Sequence, residues 1–190
     1  MTKWVLALAA ALVLLAAGCG GSDHPSSSAD EVEVPASADY NAADVMFAQG
    51  MIPHHEQAVE MADLALANTT TPTVVELANR IKAAQDPEIM MMRGWLETWD
   101  QPQMSMDDGG HGGMDGMMTD DDMAELQAAE GAAFDQRFLD MMIRHHEGAI
   151  EMAEQMKQDG KFADAKTLAD IIISAQLAEI AEMQVLLGES

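Results

Sequence analysis

The segment Met51-Ile52-Pro53-His54-His55-Glu56-Gln57-Ala58-Val59-Glu60-Met61-Ala62 returns 91 residues later as Met142-Ile143-Arg144-His145-His146-Glu147-Gly148-Ala149-Ile150-Glu151-Met152-Ala153. Without a gap, the same offset carries Leu77, Ala78, Ile81, Ala84, Gln85, Glu88, Ile89 and Met92 onto Leu168, Ala169, Ile172, Ala175, Gln176, Glu179, Ile180 and Met183. Between Asp44–Met92 and Asp135–Met183, 19 of 49 positions are identical, so the chain is an internal duplication. What both copies keep is partly chemistry, in Met, His, Gln and Glu, and not only apolar packing.

Apolar residues recur at helical spacing over four long segments, about 41–67, 73–99, 131–158 and 162–187, and over a shorter one near 120–129. Thr69-Thr70-Thr71-Pro72 suits a helix start, Asp159-Gly160 a helix stop, and Thr119 followed by three aspartates another start. No strand-like alternation interrupts them. The expected fold is all-α: two duplicated helical hairpins forming an antiparallel four-helix bundle about a pseudo-twofold axis. Its domain would span 40–188, with repeat 1 at about 41–99, a linking loop at 100–119 and repeat 2 at about 131–187. Pro53 and Pro87 should kink the first two helices, whereas Arg144 and Ala178 leave their counterparts straighter.

Ahead of the repeats, Lys3 precedes an apolar run from Trp4 to Ala17 that ends in Ala16-Ala17-Gly18-Cys19. These 14 apolar residues are short for the ~20 that span a bilayer. Small residues before a cysteine look like a bacterial lipoprotein signal: 1–18 removed, Cys19 lipidated, and 19–39 a flexible Gly/Ser/Pro/Asp tether. The chain is then expected to be exported and anchored through Cys19 to the outer face of a bacterial membrane. Cys19 is the only cysteine, so neither disulfides nor thiolate metal sites are expected. A formal charge of −24 repels nucleic acid and attracts cations.

On an ideal helix at 100° per residue with His54 at 0°, Met61 falls at about −20°, Met51 at about 60° and His55 at about 100°. Both histidines thus border the apolar face, while Glu56 and Glu60 project away from it. On the second helix, Gln85 and Glu88 lie in the core stripe with Ile89 and Met92, as do Gln176 and Glu179 with Ile180 and Met183. A carboxylate there needs a partner, because an unpaired buried charge is expensive. One reading is a His/Glu hydrogen-bond network with methionine as adaptable filler. The other is a metal-ligand set in each repeat: Met51, His54, His55, Met61, Glu88 and Met92, and Met142, His145, His146, Met152, Glu179 and Met183. Whether these make one shared site or two depends on helix pairing.

Ligand type indicates the metal. Di-iron bundles place Glu three residues before His; here Met51 and Met142 hold those places. A soft sulfur in place of a hard oxygen favours copper, Cu(I) above all, with His also compatible with Cu(II). Between the repeats, Met104, Met106, His111, Met114, Met117 and Met118 are mixed with aspartates and five glycines, without a period that would bury them. Such a loop could wrap and release a soft cation; the bland alternative is an acidic linker. Met90, Met91 and Met92 are explained well enough as core filler.

The doubled Met-Ile-x-His-His-Glu-x-Ala-(Ile/Val)-Glu-Met-Ala motif, followed by Ala-x-x-Ile and Gln-x-x-Glu-Ile-x-x-Met, resembles domain-of-unknown-function family 305 over roughly Asp39 to Gly188. That resemblance implies a ferritin-like helical bundle, export, and a link to copper binding in some members. It carries over to Met51, His54, His55, Met61, Met142, His145, His146 and Met152. No Ser-His-Asp set, phosphate loop or reactive cysteine points to catalysis. The expectation is an envelope lipoprotein that binds copper for buffering, sequestration or transfer. The alternatives are a structural lipoprotein that engages an envelope partner, and a ferritin-like redox metalloenzyme.

Overall fold

The computed structural model describes residue 32 and residues 34–103 and 115–188. Helix ends follow local chemistry. Asn41 caps α1 (Ala42–Asn68) in a reciprocal box with Asp44, and Pro72 opens α2 (Pro72–Thr98). Thr119 and Asp122 form a second box at the short α3 (Asp120–Ala128). Next come α4 (Gly131–Asp159) and α5 (Ala163–Leu187), the latter closed by Gly188 at φ 80°. Each helix lies within one residue of the span its periodicity predicts, and α1 and α2 run unbroken through Pro53 and Pro87.

α1 packs on α2 and α4 on α5, and the two hairpins meet chiefly through α1 and α4. The core falls into two apolar halves. One joins the end of α1 (Ala58–Ala65) and the start of α2 to the start of α4 (Phe134–Met142) and the end of α5. The other joins the start of α1 (Val45–Ile52) and the end of α2 to the end of α4 and the start of α5. This crossing of starts with ends is the signature of antiparallel pairing, and it leaves the doubled histidine motif at the junction of the halves. Val32 and Val34 pack against the second half. The expected signal segment 1–18, Cys19 and the expected tether up to residue 31 lie outside the described residues. Among the described residues no helix is long and apolar enough to cross a membrane.

The repeats also hold each other's hairpin turns. Asp44, fully buried, accepts from the backbone N–H groups of Asn41 (2.6 Å), Lys161 (3.1 Å) and Phe162 (3.0 Å), and so caps the start of α5. Its counterpart Asp135 accepts from the hydroxyl of Thr71, the residue that precedes α2, at 2.5 Å. Each copy thus fixes the turn of the other. Asp44→Asn turns one acceptor oxygen into a donor facing backbone N–H groups. It is expected to lower stability by about 1–2 kcal/mol, read as a lower urea midpoint at unchanged slope.

Candidate metal centre

Because α1 and α4 are antiparallel and equivalent, identical positions on them can meet on the pseudo-twofold axis, and His54 and His145 do. Their ring centroids are 3.9 Å apart with planes inclined at 46°. The adjacent histidines turn into their own hairpins: His55 Nε2 lies 2.8 Å from Glu88 Oε2, and His146 Nε2 lies 2.7 Å from Glu179 Oε2. All four imidazoles are fully buried, and Gln85 and Gln176, one turn before the glutamates, are nearly so. The arrangement is therefore one shared histidine pair on the axis, flanked by two symmetric His–Glu pairs.

Hydrogen bonding assigns the tautomers. A carboxylate oxygen only accepts, so His55 and His146 donate from Nε2–H. His54 Nε2 lies 3.3 Å from the backbone carbonyl of Asp115 and donates likewise. His54 then presents Nδ1 as a lone pair, and among the described residues the Nδ1 of all three rings is buried without a hydrogen-bond partner; on His145 neither nitrogen has one. Burial, reinforced by the neighbouring His55, pushes the His54 pKa down to about 3. Burial and then His54 push His145 well below its ordinary value. At neutral pH both axial rings are uncharged bases.

Unpartnered buried nitrogens cost about 1–3 kcal/mol each, and a cation that takes up their lone pairs removes that cost. The donor set thus fits a metal ion. Among the described residues no three His, Cys, Asp or Glu side chains gather as a cage. An ion on the axis must complete its shell with other donors. Met51 and Met142, one turn before the axial histidines, are fully buried. Antiparallel packing places Met51 with Met92 and the partly buried Met152 in one apolar half, and Met142 with Met61 and Met183 in the other. Glu88 and Glu179 bond to His55 and His146, a position that orients an imidazole.

The inter-repeat segment supplies a strap that helical periodicity does not announce. Gln57 holds Met118 at both backbone groups, accepting from its N–H at 2.7 Å and donating to its carbonyl at 2.9 Å. Arg144 reaches the Met118 sulfur at 3.5 Å. Gly116, at φ 82°, lies against Gly148, where an added Cβ would stand 2.1 Å from the Asp115 carbonyl oxygen. Met117 and Met118 are consequently buried, at 9% and 1% exposure, and Met118 belongs to the core. This corrects the expectation of unburied loop methionines for these two; Met104, Met106, His111 and Met114 lie outside the described residues. A second correction concerns Met90 and Met91, which are 72% and 46% exposed, so only Met92 is core filler. Three adjacent helical positions span too wide an arc to share one buried stripe.

The signal for the strap was present within the repeat. The doubled twelve-residue motif differs at only three places, and two of them, Pro53/Arg144 and Gln57/Gly148, supply residues that hold the strap. Gly148→Ala is expected to unseat it. The gain in helix propensity, about 1 kcal/mol, is outweighed by the clash with backbone, for a net loss of about 1–2 kcal/mol. Faster amide exchange at Met118 would report the release; unchanged protection would mean that the strap is held elsewhere.

A duplicated antiparallel bundle with two uncharged histidines on its axis places the chain among the all-α helical-bundle proteins. The chain belongs to the DUF305 family, domain of unknown function, whose profile matches residues 44–187. Its fold is similar to that of a DUF305 protein from Streptomyces coelicolor, described as a presumed secreted protein. They share 36% identity and a TM-score of 0.72, with 77% of this chain and 93% of that one covered. A DUF305 fragment from Deinococcus radiodurans is 31% identical with a TM-score of 0.72, covering 79% and 98%. CopM in its Cu(II)-bound form is 34% identical with a TM-score of 0.67, covering 76% and 95%. CopM structures in Cu(I)-bound, Ag-bound and apo forms are also similar. No curated protein sequence matches the chain.

Proposed function

We propose that this protein binds a soft metal ion, copper in the cell, at the His54–His145 pair, and that it does so to buffer, sequester or pass on the ion. The observation that carries the reading is the pair of uncharged, fully buried axial imidazoles whose free nitrogens have no partner among the described residues. Thioethers one helical turn away select Cu(I) over harder ions. The similarity to CopM, solved with Cu(I), Cu(II) and Ag, supports the same choice. Donors this deeply buried suit an ion rather than an organic substrate, so the reading is of a binding protein and not an enzyme.

The setting follows from the sequence. A lipidated Cys19 would tether the domain outside the membrane, where its negative charge draws cations from the surroundings. Anaerobic titration of the mature chain with Cu(I) against a competing chelator tests the function. Stoichiometric binding tighter than that of an unstructured Met-rich peptide supports it. The second reading, a structural layer that fixes helix register, is favoured by the two His–Glu bonds. Absence of tight Cu(I) binding would leave that reading in place.

A further inference from the structure

Away from the histidine layer, three methionines converge on a surface cleft of about 170 Å³ between the start of α1 and the end of α4. Met152 and Met156 stand one turn apart on α4, and Met46 faces them from α1; Asp159 and Gln155 share the lining. Their exposures are graded: Met156 is 2% exposed, Met152 is partly buried, and Met46 is 63% exposed. Met46 is one of several large apolar side chains left open on the helices, and among these it is the one that lines this cleft, so its thioether stands at the cleft beside those of Met152 and Met156.

The trio is not an inheritance of the duplication. The places equivalent to Met46, Met152 and Met156 in the other copy hold Arg137, Met61 and Ala65, and Met61 is fully buried. The symmetric site therefore cannot account for these three together. Met152, which sequence symmetry pairs with Met61 as a ligand of the bundle interior, faces a different environment.

We infer that Met46, Met152 and Met156 form a second, surface-accessible site for a monovalent soft cation, Cu(I) or Ag(I), separate from the axial histidine pair. Thioethers are neutral soft donors, so a set of them favours soft monovalent ions over harder divalent ones such as zinc. Met46 can swing on its three rotatable bonds to admit or surrender the ion. The carboxylate of Asp159 at the lining adds attraction for a cation without a hard-ligand cage. A site of this kind exchanges its ion readily and suits loading or handing on, whereas the buried pair suits retention. This inference extends the proposed soft-metal function but rests on separate donors.

The test uses the mature chain labelled with ¹³C at the methionine methyls and titrated with Ag(I). The Met46 and Met152 methyl resonances are expected to shift together as one equivalent binds, and to shift equally in His54→Ala/His145→Ala. Met46→Leu/Met152→Leu, close in volume, is expected to bind one Ag(I) or Cu(I) equivalent fewer while its thermal unfolding stays near that of the parent. Unmoved Met46 and Met152 methyls at saturating Ag(I), or unchanged stoichiometry in the leucine variant, would overturn the site even if the histidine pair binds metal. Shifts that persist while the histidine variant loses nothing would keep this site and refute the axial one.

Discussion

Replacing His54 and His145 together by alanine is expected to weaken Cu(I) binding at the axial centre at least 100-fold, about 2.7 kcal/mol, while the helical content stays near that of the parent. Two features set the size. Both rings are fully buried and neutral, so their lone pairs are available to the metal without displacing a proton. They also sit 3.9 Å apart on the axis, so one double substitution removes the proposed ligands of both repeats. Helicity should survive because the apolar halves on either side are separate clusters, each holding its own four helix segments. Chelator competition gives the affinity and far-UV circular dichroism the helicity. Unaltered affinity in a folded variant would rule out the axial pair as the site.

Without metal, stability should fall as pH drops below about 6.5. An unfolded histidine titrates near 6.5, whereas folded His54 titrates at about 3 and His145 well below its ordinary value. Between those limits the unfolded chain takes up two protons that the folded chain refuses. The stability present above pH 6.5 is therefore lost as pH falls toward the folded values. Each ring contributes a slope of up to ~1.4 kcal/mol per pH unit, or ~2.7 kcal/mol for the pair. The groups facing His54 are His145, His55, His146 and the Asp115 carbonyl, and none of them offers a carboxylate to hold the proton. Urea midpoints between pH 7.5 and 5 should show the slope in the parent and a flatter one in His54→Ala/His145→Ala. Parallel profiles would mean that the axial rings accept protons in the folded state. Bound copper should suppress the acid loss, since metal and proton compete for the same lone pairs.

The helices were legible because their period and their caps are local. Pro72 after its threonines, and Thr119 with the aspartates that include Asp122, are read within four residues of chain. The helical wheel likewise placed Gln85, Glu88, Gln176 and Glu179 on the core side, where they lie. It failed for Met117 and Met118, because nothing local buries them. Their burial comes from Gln57 and Gly148, some 30 to 60 residues away in sequence. It also gave Met61 and Met152 one role, although their surroundings differ. Symmetry of sequence does not extend to a strap and a cleft that exist once.

From the sequence alone came the duplication, the helical spans and the soft character of the repeated methionine and histidine side chains, since each is written in residue type and spacing. Only the tertiary structure decided that His54 meets His145 on one axis while His55 and His146 turn to Glu88 and Glu179. The reason is geometric: helix periodicity fixes which face a side chain occupies, but the antiparallel register of α1 against α4 fixes which equivalent residues come face to face.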